Sequence, residues 1–159
     1  MKIKKENSML VLVVCIINTV ALAQSNKVND SNDVKKVKVP EIVNKSFSKD
    51  YPAIKKCHWE AEGKDFEVGF KQAGVESSVL YNAIGQKLET ESEIKPSQLP
   101  VQILIYIKKK YLNYEVSEAS KIENNKGVIL YEAEITDNHK VKDIIFDVNG
   151  NVVKEIIQK

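Results

Sequence analysis

The residues best suited to catalysis in this sequence are His58, His139 and the cysteine at position 57. Cys57 and His58 are adjacent in a segment where polar and apolar residues alternate, which is typical of a β-strand. Successive side chains of a strand point to opposite faces, so this thiol and imidazole cannot form a nucleophile–base pair. The same geometry prevents both from binding one metal ion together with His139. The pattern therefore predicts a buried thiol beside a solvated imidazole, with no catalytic residue and no metal site.

A second segment, DVNGN at residues 147–151, has the composition of the start of a calcium loop. A complete loop needs further ligands and a bidentate glutamate at its twelfth position. Counted from Asp147, the twelfth position holds Gln158 and the ninth holds Glu155, so the pattern is incomplete. A hairpin turn with Gly150 at positive φ is the better interpretation. The sequence also has no glycine-rich phosphate loop, dinucleotide fingerprint or G-x-S-x-G motif, and we expect no cofactor.

The first 23 residues predict export. Three lysines precede the apolar run at residues 9–17, and Ala-Leu-Ala at 21–23 forms a signal-peptidase site. Asn18 and Thr19 end the run well short of the ~20 residues that a membrane span needs. We therefore expect cleavage, no stable membrane anchor, and a periplasmic or secreted location. Removal of three lysines and one glutamate leaves 21 basic and 21 acidic residues, a balance that argues against nucleic acid as a partner.

Residues 24–38, QSNKVNDSNDVKKVK, are polar and lack a sustained period, which predicts a flexible linker. After signal cleavage the chain keeps one cysteine, Cys57, so it cannot form an internal disulfide. Its stability must come from packing.

The remainder of the chain contains one pattern twice. Residues 39–52, VPEIVNKSFSKDYP, align with residues 99–112, LPVQILIYIKKKYL. The first segment predicts a helix with Pro40 at its first helical position, where the missing N–H is harmless. The second predicts a helix over Val101–Tyr111. The predicted buried residues are Ile42, Val43 and Phe47 in the first helix, and Val101, Leu104, Ile107 and Tyr111 in the second.

Alternating segments punctuated by turns follow each predicted helix, which indicates antiparallel hairpins. Tyr131, Ala133 and Ile135 repeat the pattern of Phe66, Val68 and Phe70. The predicted fold is α+β, with two tandem repeats at residues 39–98 and 99–159. Each repeat has one helix and a four-stranded antiparallel sheet, with both helices on one face. The pattern leaves open whether the eight strands form one sheet or two.

Several motifs together carry a family resemblance. They are the Tyr51-Pro52 helix end, KCHWE at 56–60, FEVGF at 66–70 and the DVNG turn at 147–150. In this order, behind a signal peptide, they resemble the PepSY-like, beta-lactamase-inhibitor-like family of small exported bacterial proteins. Two local departures are NAIG at 82–85 in place of an Asp-x-Asn-Gly turn, and a second helix end without proline. The resemblance implies a fold similar to beta-lactamase inhibitor protein, whose sheets present a concave outer face to the bound enzyme.

We call the sheet face opposite the helices the outer face, and it is the candidate binding site. Leu80 and Ile145 occupy equivalent positions and place one apolar residue of each repeat on the wet side, while Glu67 and Glu132 are also equivalent. An apolar spot rimmed by charge is typical of a protein-binding surface. The residues predicted to form it are His58, Glu60, Glu67, Lys71, Leu80, Glu89, Glu91, Leu130, Glu132, Glu134, Lys142 and Ile145.

The hypothesis is an exported, non-enzymatic protein-binding module, for which the resemblance implies inhibitor-like action on an extracytoplasmic hydrolase. The alternative is an envelope sensor of a small ligand or cation that uses the glutamate-rich face and the turn at 147–151. A plain solvated sheet face is the competing interpretation of the same pattern. The protein-binding hypothesis predicts that Leu80→Lys and Ile145→Lys abolish binding without unfolding the protein.

Overall fold

The computed structural model describes residues 37–137 and 139–157. The predicted signal peptide at 1–23 and most of the predicted linker at 24–38 lie outside the described residues. The described elements, in chain order, are α1 (Glu41–Asp50), β1 (Cys57–Glu62), β2 (Asp65–Gln72), β3 (Val75–Tyr81), β4 (Lys87–Ile94), a 3-10 turn (Pro96–Gln98), α2 (Val101–Lys110), β5 (Glu115–Asn124), β6 (Ile129–Thr136), β7 (Val141–Asp147) and β8 (Val152–Ile157). Within this part of the chain, neither helix has the length and apolarity required to cross a membrane.

Each helix begins immediately after a proline and ends at a tyrosine. Pro40 and Pro100 have extended backbones, with ψ of 143° and 138°, so each is the residue before the first helical turn. The predicted first helix began one residue too early, at Pro40, whereas the predicted start of the second helix at Val101 is confirmed. At the other end, the backbone N–H of Tyr51 donates to the carbonyl of Phe47, which closes the last turn of α1. Tyr111 closes α2 in the same way.

The buried side of each helix is narrower than predicted. Val43 in α1 and Ile103 in α2 are fully buried. The residues one turn later, Phe47 and Ile107, are also buried. Ile42 and Val101, which the sequence predicted to be buried, are 53% and 62% exposed. Residues four apart lie on the same side of a helix, so the pairs 43/47 and 103/107 face the sheet while residues 42 and 101 point away.

The eight strands form one continuous antiparallel sheet in sequential order from β1 to β8. The turns before β4 and β8 both contain a glycine with positive φ, Gly85 at 78° and Gly150 at 82°. Both turns also lie against a helix. A Cβ on Gly85 would lie 3.0 Å from the carbonyl oxygen of Ile42, and one on Gly150 would lie 2.8 Å from the Cβ of Gln102. Glycine is therefore needed at both positions for conformation and for space.

Both helices pack on the same face of the sheet, over two separate apolar clusters. The cluster beneath α1 contains Val43, Phe47, Val68, Phe70, Val79 and Tyr81. The cluster beneath α2 contains Leu99, Ile103, Ile107, Tyr111, Ala119, Ala133, Ile135, Ile144 and Phe146. The register from Val79 through Thr90 and Glu123 to Ile129 places both clusters on one side. The opposite side is the outer face.

Candidate functional site: the outer face of the sheet

Strand pairing brings polar and charged residues of all eight strands into rows on the outer face. One row runs Glu60, Glu67, Leu80, Glu89 and Asn124. The next runs His58, Gly69, Ser78, Glu91, Ile122 and Leu130. A third runs Glu93, Ser120, Glu132, Ile145 and Lys154, and a fourth Glu118, Glu134, Asp143 and Ile156. No described helix or turn segment packs over these rows.

The register places all but one of the predicted binding residues on this face. The residues at outer-face positions are His58, Glu60, Glu67, Lys71, Leu80, Glu89, Glu91, Leu130, Glu132, Glu134 and Ile145. Their placement follows from the alternation of strand side chains. That they bind a partner stays a prediction.

Lys142 is the exception, and its predicted placement on the outer face is wrong. It pairs with the buried Ile135, and its ammonium lies on the helix-covered side, 5.2 Å from the centre of the Tyr111 ring. It forms an ion pair of 3.1 Å with Glu155. Residues 142 and 145 are three apart in one strand, so they point to opposite faces, and only Ile145 belongs to the outer face.

Leu80 and Ile145 lie on the outer face but are not exposed apolar contacts, which corrects the second part of the prediction. Leu80 is 3% exposed and Ile145 is fully buried. Ile122 and Leu130 are buried in the same rows. These four residues are the apolar floor of the outer face, and charged residues are paired beside Leu80 and Ile145 in the register.

The carboxylates of this surface are unusually buried for charged groups. Those less than a tenth exposed at outer-face positions are Asp65, Glu67, Glu89, Glu132 and Asp143. Burial raises the pKa of Glu89 to about 7, and the charges of Glu91 and Glu67 add to this effect. Burial removes water from the charged form, and a neighbouring negative charge opposes ionisation further. Glu89 therefore titrates near neutral pH.

Glu91, Ser120 and Glu132 form the centre of the acidic surface. The hydroxyl of Ser120 on β5 donates to Oε1 of Glu91 on β4, at 2.5 Å. Glu132 pairs with Ser120 in the register and is hydrogen-bonded to Glu91. Burial, followed by the charges of Glu91 and Asp143, raises the pKa of Glu132 well above the usual range of a carboxyl group. One proton is thus retained between Glu91 and Glu132 at neutral pH.

Positive charge is sparse at the outer-face strand positions of the described chain, where the lysines are Lys71 and Lys154. Lys71 is paired with Glu76 at 2.7 Å near the end of its strand. The imidazole of His58 lies directly against Gly69, where a Cβ would collide with it. The outer face is consequently an acidic surface with few compensating cations.

The structure places both sequence patterns that were considered for catalysis or metal binding. Cys57 and His58 lie on opposite faces of β1, as predicted, but the thiol of Cys57 is exposed at the sheet edge rather than buried. Asp147 closes the β7–β8 turn: its Oδ1 accepts the backbone N–H groups of Asn149 and Asn151, each at 2.9 Å. Across residues 37–137 and 139–157, no three His, Cys, Asp or Glu side chains are grouped to hold a metal ion.

Sequence reasoning missed outer-face residues on β5 and β7. Asp143 lies two residues before Ile145 on the same strand, and period-two alternation alone could have assigned it in place of Lys142. Ser120 and Ile122 follow Glu118 at the same period, but the register shift between Val116 and Glu118 obscures the start of that alternation. Nothing in the sequence indicates that Ser120 donates to Glu91, since that contact depends on the pairing of β4 with β5.

A polar cleft of about 300 Å³ lies on the helix side, between Tyr51 and the middle strands β4 and β5. Lys121 and Glu123 both line this cleft, and the ammonium of Lys121 lies 3.8 Å from the carboxylate of Glu123. Because opposite charges are already paired inside it, the cleft has a weaker basis for selecting a ligand than the outer face.

A family model described as "Putative beta-lactamase-inhibitor-like, PepSY-like" matches the chain twice, at residues 26–88 and 75–154. Together the two matches span far more than half of the sequence. The comparison with curated proteins found no match.

Solved structures of Bacteroides proteins share the fold. A DUF2874 family protein from Bacteroides ovatus is 18% identical, with a TM-score of 0.66 over 76% of this chain and 89% of that chain. A protein from Bacteroides eggerthii described as a "putative periplasmic" protein is 12% identical, with a TM-score of 0.68 over 76% and 90%. A BLIP-like protein from Bacteroides fragilis is 22% identical, with a TM-score of 0.61 over 79% and 90%. The family matches therefore confirm the resemblance, and the chain belongs to the PepSY-like, beta-lactamase-inhibitor-like family.

Proposed function

We propose that this protein is an exported, non-enzymatic module that binds another protein through the outer face of its sheet. The observation that carries the proposal is the acidic surface over a closed apolar floor, on a face that no described helix covers. Leu80 and Ile145 are already buried, so they cannot supply new apolar contact area. Recognition would depend on the carboxylates around them. A surface with one sign of charge selects and steers a partner of the opposite sign.

The two halves of the chain support a repeat architecture as part of this proposal. We infer tandem repeats at residues 39–98 and 99–159, which join their strands into one sheet. The supporting features are the matching helix starts after Pro40 and Pro100 and the matching docked turns at Gly85 and Gly150. The strand irregularities after Leu80 and after Ile145 also fall at equivalent positions. A single joined sheet doubles the width of the outer face.

The class of partner and the location belong to the same proposal. The family description names inhibitor-like proteins, and a Bacteroides relative of the same fold is described as periplasmic. We infer that the protein acts outside the cytoplasm, and that an extracytoplasmic hydrolase is the first class of partner to examine. The signal-peptide pattern at residues 1–23 supports this location.

Affinity capture with charge-reversed variants tests the outer face. The bait is the mature chain, residues 24–159, and the source is the native envelope and secreted fractions. Glu93→Lys/Glu118→Lys reverses two exposed charges on the outer face, and Glu41→Lys/Glu123→Lys reverses two exposed charges elsewhere. The proposal predicts a protein that the wild type and the second variant retain and the first variant loses. Equal retention by both variants would contradict it.

A further inference from the structure

The side of α2 that points away from the sheet is apolar and basic. Val101 is 62% exposed and Ile105 is 49% exposed, and each lies two positions from a buried residue of the helix, on the opposite side. Two exposed lysines continue this side through the last turn, and Leu112, just beyond the helix, is 83% exposed. We call this line of residues the α2 crest; its members are Val101, Ile105, Lys108, Lys109 and Leu112.

The corresponding side of α1 is polar, although both helices pack on the sheet in the same way. Glu41 and Lys45 stand at the positions that align with Val101 and Ile105, and they form an exposed ion pair of 2.7 Å. The two helices bury the same pair of positions, so the fold does not require an apolar crest. The aliphatic residues of the α2 crest therefore have a role other than packing.

The charge of α2 has one sign. The helix contains three lysines and no acidic residue. The ammonium of Lys110 lies 3.6 Å from a carboxylate oxygen of Glu155, whereas Lys108 and Lys109 are exposed on the crest. The equal numbers of basic and acidic residues in the mature chain thus conceal a separation, with acidic groups on the outer face and this basic ridge on the opposite side. A basic ridge attracts a negatively charged surface.

We propose that the α2 crest docks on an anionic lipid surface. Its aliphatic side chains enter the boundary between headgroups and acyl chains, while the lysines hold their ammonium groups among the headgroups. The ten-residue helix is about 15 Å long, half of the ~30 Å hydrocarbon core, so it lies along the surface. This inference goes beyond the proposed function and is independent of it. Docking on α2 directs the outer face away from the lipid, toward a protein partner.

The shape and size of the α2 crest favour lipid over a protein as its occupant. The crest is the convex ridge of one short helix, and it offers no pocket for the side chain of a partner. Its five residues are few beside the roughly 20–30 that each side of a stable protein interface contributes. A lipid surface adapts to a ridge and supplies negative charge without fixed geometry, which suits flexible lysines.

Cosedimentation of the mature chain with vesicles tests the proposal. The vesicles contain about one part phosphatidylglycerol to two parts phosphatidylcholine, and pure phosphatidylcholine vesicles serve for comparison. We expect binding to the anionic vesicles only. Val101→Glu/Ile105→Lys installs the α1 residues without a change in net charge and should weaken binding at least roughly tenfold. Lys108→Gln/Lys109→Gln should weaken it roughly twentyfold, about fivefold for each lysine.

Lys45→Gln/Lys49→Gln, which removes two lysines from α1, is the matched control and should bind as the wild type does. All substituted positions are exposed, so circular dichroism spectra and melting temperatures should be unchanged. No binding of the wild type to anionic vesicles, or equal binding by all variants, would overturn the inference. Equal weakening by both lysine variants would also overturn it, because only net charge would then matter. Loss of a captured protein by Val101→Glu/Ile105→Lys, without vesicle binding by the wild type, would assign the crest to a protein instead.

Discussion

Glu132 on β6 is hydrogen-bonded to Glu91 on β4, across the intervening strand β5. Two carboxyl groups can share a hydrogen bond only while one of them carries a proton. Ser120 on β5 donates to Glu91, which favours Glu91 as the charged member and Glu132 as the protonated one. The free protein is thus arranged to hold protons on the outer face at a pH where exposed glutamates have lost theirs.

This arrangement predicts that stability falls as pH rises. The pKa of Glu89 is raised to about 7 in the folded protein, above the value of about 4.3 expected for the unfolded chain. Between those values the folded state binds more protons than the unfolded state, so the free energy of unfolding decreases with pH. Glu89→Gln should remove the contribution of Glu89 to this dependence, leave that of Glu132 in place, and stabilise the protein at pH 8 by on the order of 2 kcal/mol. Urea denaturation at pH 5 and pH 8 measures both effects.

Glu41→Gln provides the control, because Glu41 is exposed on α1 and paired with Lys45. Its denaturation midpoint should follow that of the wild type at both pH values. A wild-type protein that is more stable at pH 8 than at pH 5, with Glu89→Gln less stable than wild type, would contradict the assignment of a buried, protonated carboxyl.

The apolar floor gives a second prediction. Ile145 is fully buried on β7, whereas Ile157 on β8 is 65% exposed. Ile145→Ala should lower the free energy of unfolding by about 2–5 kcal/mol, because it removes buried atoms and leaves a cavity. Ile157→Ala deletes the same atoms from an exposed site and should cost less than about 0.5 kcal/mol. Chemical denaturation compares the two variants. Similar small losses would show that Ile145 is accessible on the outer face.

The glycines of the turns give a third prediction. Gly150 and Gly127 both have positive φ, but only a Cβ on Gly150 would meet a helix; one on Gly127 would have nothing within 4 Å. Gly127→Ala should therefore cost about 1 kcal/mol through backbone strain alone. Gly150→Ala adds the collision with Gln102 and should cost measurably more. Thermal unfolding followed by circular dichroism separates the two, and equal melting temperatures would contradict the docking of this turn on α2.

The turn at residues 147–151 gives a fourth prediction, which concerns the cation-sensor alternative. Oδ1 of Asp147 accepts two backbone N–H groups, and Oδ2 accepts the side-chain N–H of Asn151. Asn82 accepts two backbone N–H groups in the corresponding turn before β4, without a negative charge. Asp147→Asn should therefore preserve stability within about 0.5 kcal/mol.

Calcium at millimolar concentration should accordingly leave the melting temperature of the wild type unchanged. A ligand that binds the folded state raises that temperature, so a thermal-shift titration measures the effect directly. A rise of several degrees that Asp147→Asn abolishes would favour the sensor interpretation instead.

Much of the fold could be predicted because its signals are local. Pro40 and Pro100 mark the helix starts, and glycines mark the hairpin turns that divide the strands. Buried positions on the strands followed from period-two alternation, as at Val68 and Ile135. The face of a residue cannot be inferred from its polarity at positions such as Lys142. This amphipathic lysine lies over an aromatic ring on the apolar side of the sheet.

The character of the outer face could not be predicted in the same way. Leu80 and Ile145 were correctly placed on that face, but alternation within a strand predicts which face a residue lies on and not how exposed it is. The hydrogen bond between Ser120 and Glu91 likewise requires β5 to pair with β4, a contact between the two halves of the chain. Non-local contacts of this kind leave no periodic signal in the sequence.

The dissociation constant of the captured partner, measured for the charge-reversed variants, tests the central claim most directly. If the outer face is the binding surface, Glu93→Lys/Glu118→Lys should raise the dissociation constant at least roughly tenfold. Glu41→Lys/Glu123→Lys, with the same change in net charge, should leave it within about twofold. Equal weakening by both variants would show that only net charge matters. Weakening by the second variant alone would place the binding surface on the helix side.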